Sequence, residues 1–213
     1  MPFILLLLLF PFLVFLIFLN VATFSFARLG LSPQGALLFL TASVIGSMIN
    51  IPLSRRQIYI PRRQIFPLPL LFFYYPPVVQ EQVICFNVGG AGLPTLFSLY
   101  LLLSGRAPFL PTLLALAIVT VVAKVMARPQ PGVGIVMPAF MPPLVAAASA
   151  LILAPHGQTA PVAYVSGSMG TLIGADLLNW GKIRDLQAQM VSIGGAGIFD
   201  GIFLVGVIAA FLG

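Results

Sequence analysis

The stretch PFILLLLLFPFLVFLIFLNVATFSF, residues 2–26, is apolar almost throughout and contains no charged residue. A helix needs about 20 apolar residues to cross roughly 30 Å of hydrocarbon, so this stretch predicts a transmembrane helix. No lysine or arginine precedes it, whereas a cleaved signal sequence has a basic start and an apolar core of about 7–15 residues. We therefore expect it to be retained as a first span.

The composition of the whole chain favours a membrane protein. Of 213 residues, 60% are hydrophobic and 7% are charged, against roughly 25% charged residues in a soluble domain. The net charge is +6, but the basic residues lie in short clusters between apolar stretches, which is typical of topology signals and not of a nucleic-acid-binding face. Cys85 is the single cysteine, so no internal disulfide can form. No Cys/His set has the spacing of metal ligands, and we predict neither a metal nor a cofactor.

Further apolar stretches of helical length predict an all-α polytopic membrane protein, a single domain over residues 1–213 with about seven transmembrane helices. The predicted spans are residues 3–26, 35–53, 89–105, 109–127, 135–154, 160–179 and 195–212. Residues 65–84, IFPLPLLFFYYPPVVQEQVI, contain four prolines, which oppose a regular helix. We predict an irregular interfacial or re-entrant segment there, after the second helix, ending in the strand-forming sequence EQVICFNV (81–88). The opening of the fifth span, MPAFMPP (137–143), also predicts irregular first turns.

The positive charges predict the orientation. With seven spans and a cytoplasmic N-terminus, only Arg28 and Arg106 lie outside, and the C-terminus lies outside as well. The remaining basic residues all face the cytoplasm: Arg55, Arg56, Arg62, Arg63, Lys124, Arg128, Lys182 and Arg184.

Two segments form a weak internal repeat. NVGGAGLPTLFSL (87–99) and SIGGAGIFDGIFL (192–204) align without gaps and share the motif GGAG. Both begin a predicted span from the cytoplasmic side, so a duplication would be parallel. An equally good interpretation is that small residues recur wherever helices pack closely.

Four acidic residues are present, and two of them fall in predicted spans. Asp176 comes about one turn before the sixth span reaches the cytoplasmic loop, and Asp200 comes one to two turns after the seventh span leaves it. At 1.5 Å of rise per residue, both lie on the order of 5–10 Å below the same surface. An aspartate at mid-helix costs about 2.5–3.5 kcal/mol on insertion scales, so a functional role is the default expectation.

If the two carboxyl groups meet, they cannot both ionise in a medium of low dielectric and should share a proton. The helix-end dipoles predict that Asp200 is ionised and Asp176 protonated. Such a pair can hydrolyse amides, one member activating water while the other protonates the carbonyl oxygen. Asp176 and Asp200 are thus the candidate catalytic residues, and Gly195, Gly197, Asn179 and Asn87 are candidate substrate-binding residues.

The last two spans resemble those of the intramembrane aspartyl proteases, the group of presenilin, signal peptide peptidase and preflagellin peptidase. That group carries two aspartates on consecutive helices, the second within Gly-x-Gly-Asp. Here Gly195-Ala196-Gly197 lies near Asp200, with Ile198 and Phe199 between them. The resemblance implies cleavage of membrane-spanning peptides, with EQVICFNV as a strand that pairs with the substrate.

The whole chain more closely resembles an uncharacterised prokaryotic family of polytopic membrane proteins, known as a domain of unknown function. The resemblance lies in SMINIPL, NVGGAGLPTLFSLYLL, GTLIGADLLN and SIGGAGIFDGIFL. It implies an integral protein of a prokaryotic plasma membrane, with the lipid bilayer as its solvent. Two alternatives to a protease stay open: a small ion- or proton-coupled transporter that uses the same Asp pair, and a structural membrane protein without catalysis. The oligomeric state does not follow from the sequence.

Overall fold

The computed structural model describes residues 2–60, 78–130, 134–186, 188–195, 206–208 and 210–211. The described part is mostly helical. Its α-helices are α1 (Pro2–Arg28), α2 (Pro33–Ser47), α3 (Leu93–Leu103), α4 (Phe109–Met126), α5 (Met141–Leu153), α6 (Thr159–Thr171) and α7 (Trp180–Asp185). Its strands are β1 (Asn50–Ile60), β2 (Val78–Asn87), β3 (Arg128–Gln130), β4 (Gly134–Val136) and β5 (Met190–Ile193). Two π-helical turns, Val88–Gly92 and Leu172–Asp176, precede α3 and extend α6, and a 3₁₀ turn follows at Leu177–Asn179.

Helix α6 is the centre of the bundle, in contact with α1, α3, α4 and α5. Small residues allow this central position. A Cβ atom added to Gly170 would lie 2.8 Å from the Val119 Cβ of α4, and one added to Gly174 would lie 2.8 Å from the Ala123 Cβ and closer still to the Thr120 carbonyl oxygen. The backbones of α6 and α4 therefore approach more closely than any side chain larger than hydrogen would permit at these positions.

A three-stranded sheet, in the order β1-β2-β5, covers one end of the bundle, which we call the sheet end. Strands β1 and β2 form an antiparallel hairpin from Asn50↔Asn87 to Ile60↔Val78, with a register shift between Pro52 and Ser54. Strand β5 is parallel to β2 over Val83–Phe86. The strand predicted within EQVICFNV is confirmed, since residues 81–87 belong to β2. Strands β3 and β4 form a separate two-stranded hairpin.

The prediction of an all-α fold is wrong, because the chain also forms these two sheets. The span predicted at 35–53 ends as a helix at Ser47, and residues 50–53 belong to β1. The span predicted at 135–154 begins at Met141, after β4 and an irregular segment. The span predicted at 160–179 is a regular helix only to Thr171. Most of the span 195–212 and residues 65–77 lie outside the described residues, and residues 78–84 are strand and not an irregular segment.

Two of the described helices are long and apolar enough to cross a membrane, at Leu9–Arg28 and Phe109–Met126. Three apolar helices are shorter, at Pro33–Ser47, Val88–Leu103 and Met141–Leu153. Large apolar side chains on both long helices are exposed, including Phe10, Ile17, Phe109 and Val125. These features are consistent with a membrane protein whose outer surface contacts lipid.

The two basic residues that the charge pattern places apart from the others bind backbone carbonyls at the end opposite the sheet. Arg28 Nη1 donates to the Phe211 carbonyl oxygen at 2.8 Å and to that of Ala210 at 3.3 Å. Arg106 Nη1 donates to the Leu29 carbonyl oxygen at 2.8 Å, at the end of α1. Arg106 thus binds a carbonyl oxygen just after the carboxyl end of α1, where a helix leaves carbonyls unpaired.

Candidate functional site

Asp176 lies at the end of the π turn that extends α6. It is the last residue of the second π turn, and the 3₁₀ turn Leu177–Asn179 follows it directly. Its side chain is half-buried, and its Oδ2 accepts a hydrogen bond of 2.8 Å from the backbone N–H of Gly194. Single π turns within α-helices are frequent at functional sites. The break gives a carboxylate held at a defined place at the sheet end of the bundle.

Gly194 is the first residue of the second GGAG motif, and its position requires glycine for two reasons. Its φ is +85°, a left-handed conformation that residues with a Cβ adopt only with strain. In addition, a Cβ here would lie 2.5 Å from the Ala91 Cβ and 2.7 Å from the Ala91 backbone nitrogen. Ala91 belongs to the first GGAG motif, so the two motifs are in direct contact beside Asp176.

The two GGAG motifs also follow two neighbouring parallel strands. The first follows β2 and the second follows β5, and Cys85 pairs with Ser192 while Phe86 pairs with Ile193. The sequence alignment pairs Asn87 with Ser192, so the register in the sheet differs from the alignment by two residues. A shift of two keeps each side chain on the same face of a strand. The parallel course of the two segments is therefore observed, whereas a duplication stays a hypothesis.

Asn87 is the centre of a polar network between the two motifs. It is fully buried, and its Oδ1 accepts from the Gly90 N–H at 2.6 Å. Its Nδ2 donates to the Ser47 carbonyl oxygen at 2.7 Å and to Asn50 Oδ1 at 3.1 Å. Asn50 Oδ1 also accepts a bond of 2.6 Å from the hydroxyl of Ser192. The carboxamide of Asn87 is thus fully engaged, and it lies beside the site without opening towards a substrate.

The other candidate substrate-binding residues divide into two groups. Asn179 is buried, and its Nδ2 donates to the carbonyl oxygens of Gly174 at 3.2 Å and Ala175 at 3.0 Å. It therefore satisfies carbonyls at the break in α6. Gly195 is half-buried, with φ +86°, and donates its N–H to the Ser192 carbonyl oxygen at 3.3 Å. Gly197 and the second catalytic candidate, Asp200, lie outside the described residues.

Buried hydroxyl groups extend along α6 away from Asp176. Thr171 Oγ1 donates to the Gly167 carbonyl oxygen, and Ser168 Oγ, bonded to the Tyr164 carbonyl oxygen, lies 3.2 Å from the Ser98 Oγ of α3. The hydroxyl of Tyr164 is buried and has no hydrogen-bond partner within the described part of the chain. Tyr164 and Thr171 were not among the candidate site residues predicted from the sequence. The signal that could have found them is the unusual number of hydroxyl and small residues in this helix, TAPVAYVSGSMGT.

These features define a mostly helical chain, consistent with a membrane protein, that holds an aspartate where a broken helix meets a glycine-rich segment. The chain belongs to the family described as Protein of unknown function (DUF1614), whose model matches residues 44–212. This match confirms the expected membership of an uncharacterised family. No curated protein and no solved structure matches the chain. The resemblance of the last two spans to intramembrane aspartyl proteases stays a prediction.

Proposed function

We propose that this protein hydrolyses peptide bonds of membrane-embedded segments and that Asp176 and Asp200 are its catalytic pair. One observation carries the proposal: the hydrogen bond from the Gly194 N–H to Asp176 Oδ2. It attaches the segment that leads to Asp200 to the place where α6 breaks. Asp200 follows Gly194 by six residues in the chain.

A second contact with the region of α6 follows Asp200 in the chain. A Cβ added to Gly206 would lie 2.8 Å from the Tyr164 ring, so residue 206 passes α6 at Tyr164 while residue 194 meets it at Asp176. Tyr164 and Asp176 are twelve residues apart in the chain, and so are Gly194 and Gly206. Asp200 is midway between Gly194 and Gly206 in the sequence. The proposed hydrolysis needs both carboxyl groups within hydrogen-bond distance of one water molecule. The proposal therefore predicts that a water molecule bridges the two carboxyl groups.

The chemistry follows from this arrangement. The ionised carboxylate takes a proton from the bridging water, whose oxygen attacks the peptide carbonyl carbon. The protonated carboxyl group gives its proton to the carbonyl oxygen as the tetrahedral centre forms. When this centre collapses, the C–N bond breaks and the amine leaves with a proton from the pair. We assign the ionised role to Asp200 and the protonated role to Asp176, as the helix ends predict.

The topology proposed with this function has seven spans, a cytoplasmic N-terminus, an outer C-terminus and the sheet end at the cytoplasmic surface of a prokaryotic plasma membrane. Exposed Lys124, Arg128 and Lys182 agree with this orientation. The substrate cannot pair with β2 over residues 83–86 as expected, because β1 and β5 already occupy both of its edges there. Among the described residues β1 has one neighbouring strand, so its outer edge is open to strand addition.

A reconstituted cleavage assay tests the proposed function. The purified protein in liposomes should cleave a single-span peptide, and Asp176→Ala or Asp200→Ala should each lower the rate by about 10²–10⁴-fold, because each removes one proton-transfer group. Glu81→Ala is the matched control, since Glu81 is an exposed acid on β2 and lies outside the proposed pair. Cleavage that survives both aspartate changes would end the proposal.

A proton-coupled carrier is the second candidate, and the buried hydroxyl groups along α6 favour it. Ser98, Ser168 and Thr171 are buried polar residues beyond Asp176, and a transport path requires polar groups of this kind. Proton flux into the same liposomes distinguishes the two functions. Flux that depends on Asp176, without peptide cleavage, would assign the site to transport.

A further inference from the structure

The polar network of Asn50, Asn87 and Ser192 ends two residues before Gly194, the residue that binds Asp176. Ser192 donates to Asn50 Oδ1, and Asn50 is in turn bound by Asn87. Asn87 also accepts from the Gly90 N–H, which fixes the first GGAG motif. The position of β5 is thus set by side-chain bonds in addition to its short pairing with β2.

The first GGAG motif reaches the same place by direct contact. Ala91, one residue after Gly90, packs against the Cα of Gly194 so closely that no Cβ fits there. The network is therefore connected to Gly194 in two ways. Ser192 lies two residues before it in the chain, and Ala91 packs against it. Both contacts determine where the Gly194 N–H points.

We propose that Asn50, Asn87 and Ser192 are positioning residues that aim the Gly194 N–H at Asp176 and so fix the orientation of its carboxyl group. This inference rests on the proposed function for its catalytic consequence, but not for its geometry. Buried amide groups that lacked partners would be costly, so a network this complete holds one arrangement. A misplacement of about 1 Å at a catalytic group can lower the rate on the order of 100-fold.

The direction of each hydrogen bond permits a matched pair of substitutions. Asn50 contributes only its Oδ1, as an acceptor from Asn87 and Ser192, and a carboxylate can take over that role. Asn87 must also donate from Nδ2 to the Ser47 carbonyl oxygen, which a carboxylate cannot do. The same change, Asn to Asp, should therefore be tolerated at position 50 and damaging at position 87.

Peptide cleavage is the first measurement. We expect Asn50→Asp to cleave within about threefold of the wild-type rate, and Asn50→Leu and Asn87→Asp to lose roughly 10- to 100-fold in kcat with little change in KM. Ser192→Ala, which removes one bond only, should lose less, and Ser192→Thr should restore the rate. Equal rates for Asn50→Asp and Asn50→Leu would overturn the assignment.

Carbodiimide labelling is the second measurement and needs no activity. Dicyclohexylcarbodiimide modifies carboxyl groups in membrane proteins, and mass spectrometry reports the extent of modification at Asp176. Asn50→Leu, Asn87→Asp and Ser192→Ala should each raise the labelling rate several-fold, while Asn50→Asp and Ser192→Thr should not. Unchanged labelling in all variants would overturn the positioning role. A wild-type protein that cleaves nothing while its labelling follows this pattern would overturn the proposed function alone.

Discussion

Replacing Gly174, in the π turn that extends α6, with alanine should produce a large loss of folding stability. The new Cβ would lie 2.8 Å from the Ala123 Cβ and 3.1 Å from the Lys124 backbone nitrogen, and closer still to the Thr120 carbonyl oxygen. Backbone atoms cannot move aside as a flexible side chain can, so α6 and α4 must separate. We expect a loss of about 1–3 kcal/mol or more, the usual cost of overpacking. Thermal unfolding of the detergent-solubilised protein measures it.

Gly181→Ala is the control for this prediction. Gly181 lies in α7, and a Cβ there would meet no atom of the described residues within 4 Å. Because alanine is the better helix former, this change should leave the unfolding temperature equal or slightly higher. Equal unfolding temperatures for Gly174→Ala and Gly181→Ala would contradict the close packing of α6 on α4.

The second large effect is expected for Gly194→Ala, which strains the backbone and displaces the N–H group that binds Asp176. The φ of +85° strains any residue with a Cβ, and the added methyl group would collide with Ala91. Relief of the collision must move the N–H that binds Asp176. Peptide cleavage should therefore fall by about 100-fold or more, the effect of misplacing a catalytic group. Cleavage and thermal unfolding are measured on the same samples.

Two variants separate the effect of backbone strain on cleavage from the effect of the collision with Ala91. Gly105 has a φ of +72°, and an added Cβ would meet none of the described residues within 4 Å. Gly105→Ala therefore reports backbone strain alone and should leave cleavage unchanged. Combining Gly194→Ala with Ala91→Gly removes the collision with the Ala91 Cβ but leaves the collision with the Ala91 backbone nitrogen at 2.7 Å. The double variant should therefore stay impaired. Wild-type cleavage by Gly194→Ala would show that contact between the two GGAG motifs has no role in the site.

The helices that the sequence predicts well are those that length and composition alone specify. Helices α1 and α4 are long and apolar, and their observed bounds lie within two residues of the predicted spans. Strand β2 was predictable in part, because Val83, Ile84 and Phe86 favour extended backbone. These elements need no information from distant parts of the chain.

The elements that were missed depend on distant contacts. Helix α2 ends at Ser47, whose carbonyl oxygen accepts a hydrogen bond from Asn87, although the apolar pattern continues to residue 53. Strand β5 has four residues, too few for a pattern, and exists because it pairs with a strand about 100 residues earlier. Propensity is weak compared with such tertiary contacts.

The same reason limits what could be predicted of the site. The low charge of the chain was sufficient to single out Asp176, because an acid in an apolar helix is rare. Its hydrogen bond to the Gly194 N–H depends on the sheet and could not be predicted. Asn87 and Asn179 were predicted to bind substrate, but both bind backbone carbonyls at helix ends or breaks. The sequence shows that these two side chains are polar, whereas their hydrogen-bond partners depend on the fold.

Chemical crosslinking tests the pairing of the two aspartates most directly. In a Cys85→Ser background, cysteines are introduced at Asp176 and Asp200 and treated in membranes with a short bifunctional thiol reagent. We expect an efficient intramolecular crosslink for this pair. We expect none when the cysteine at position 176 is moved to position 109, because Phe109 is the exposed first residue of α4. If both cysteines at positions 176 and 200 react with a monofunctional reagent but never with each other, the two carboxyl groups do not form a pair.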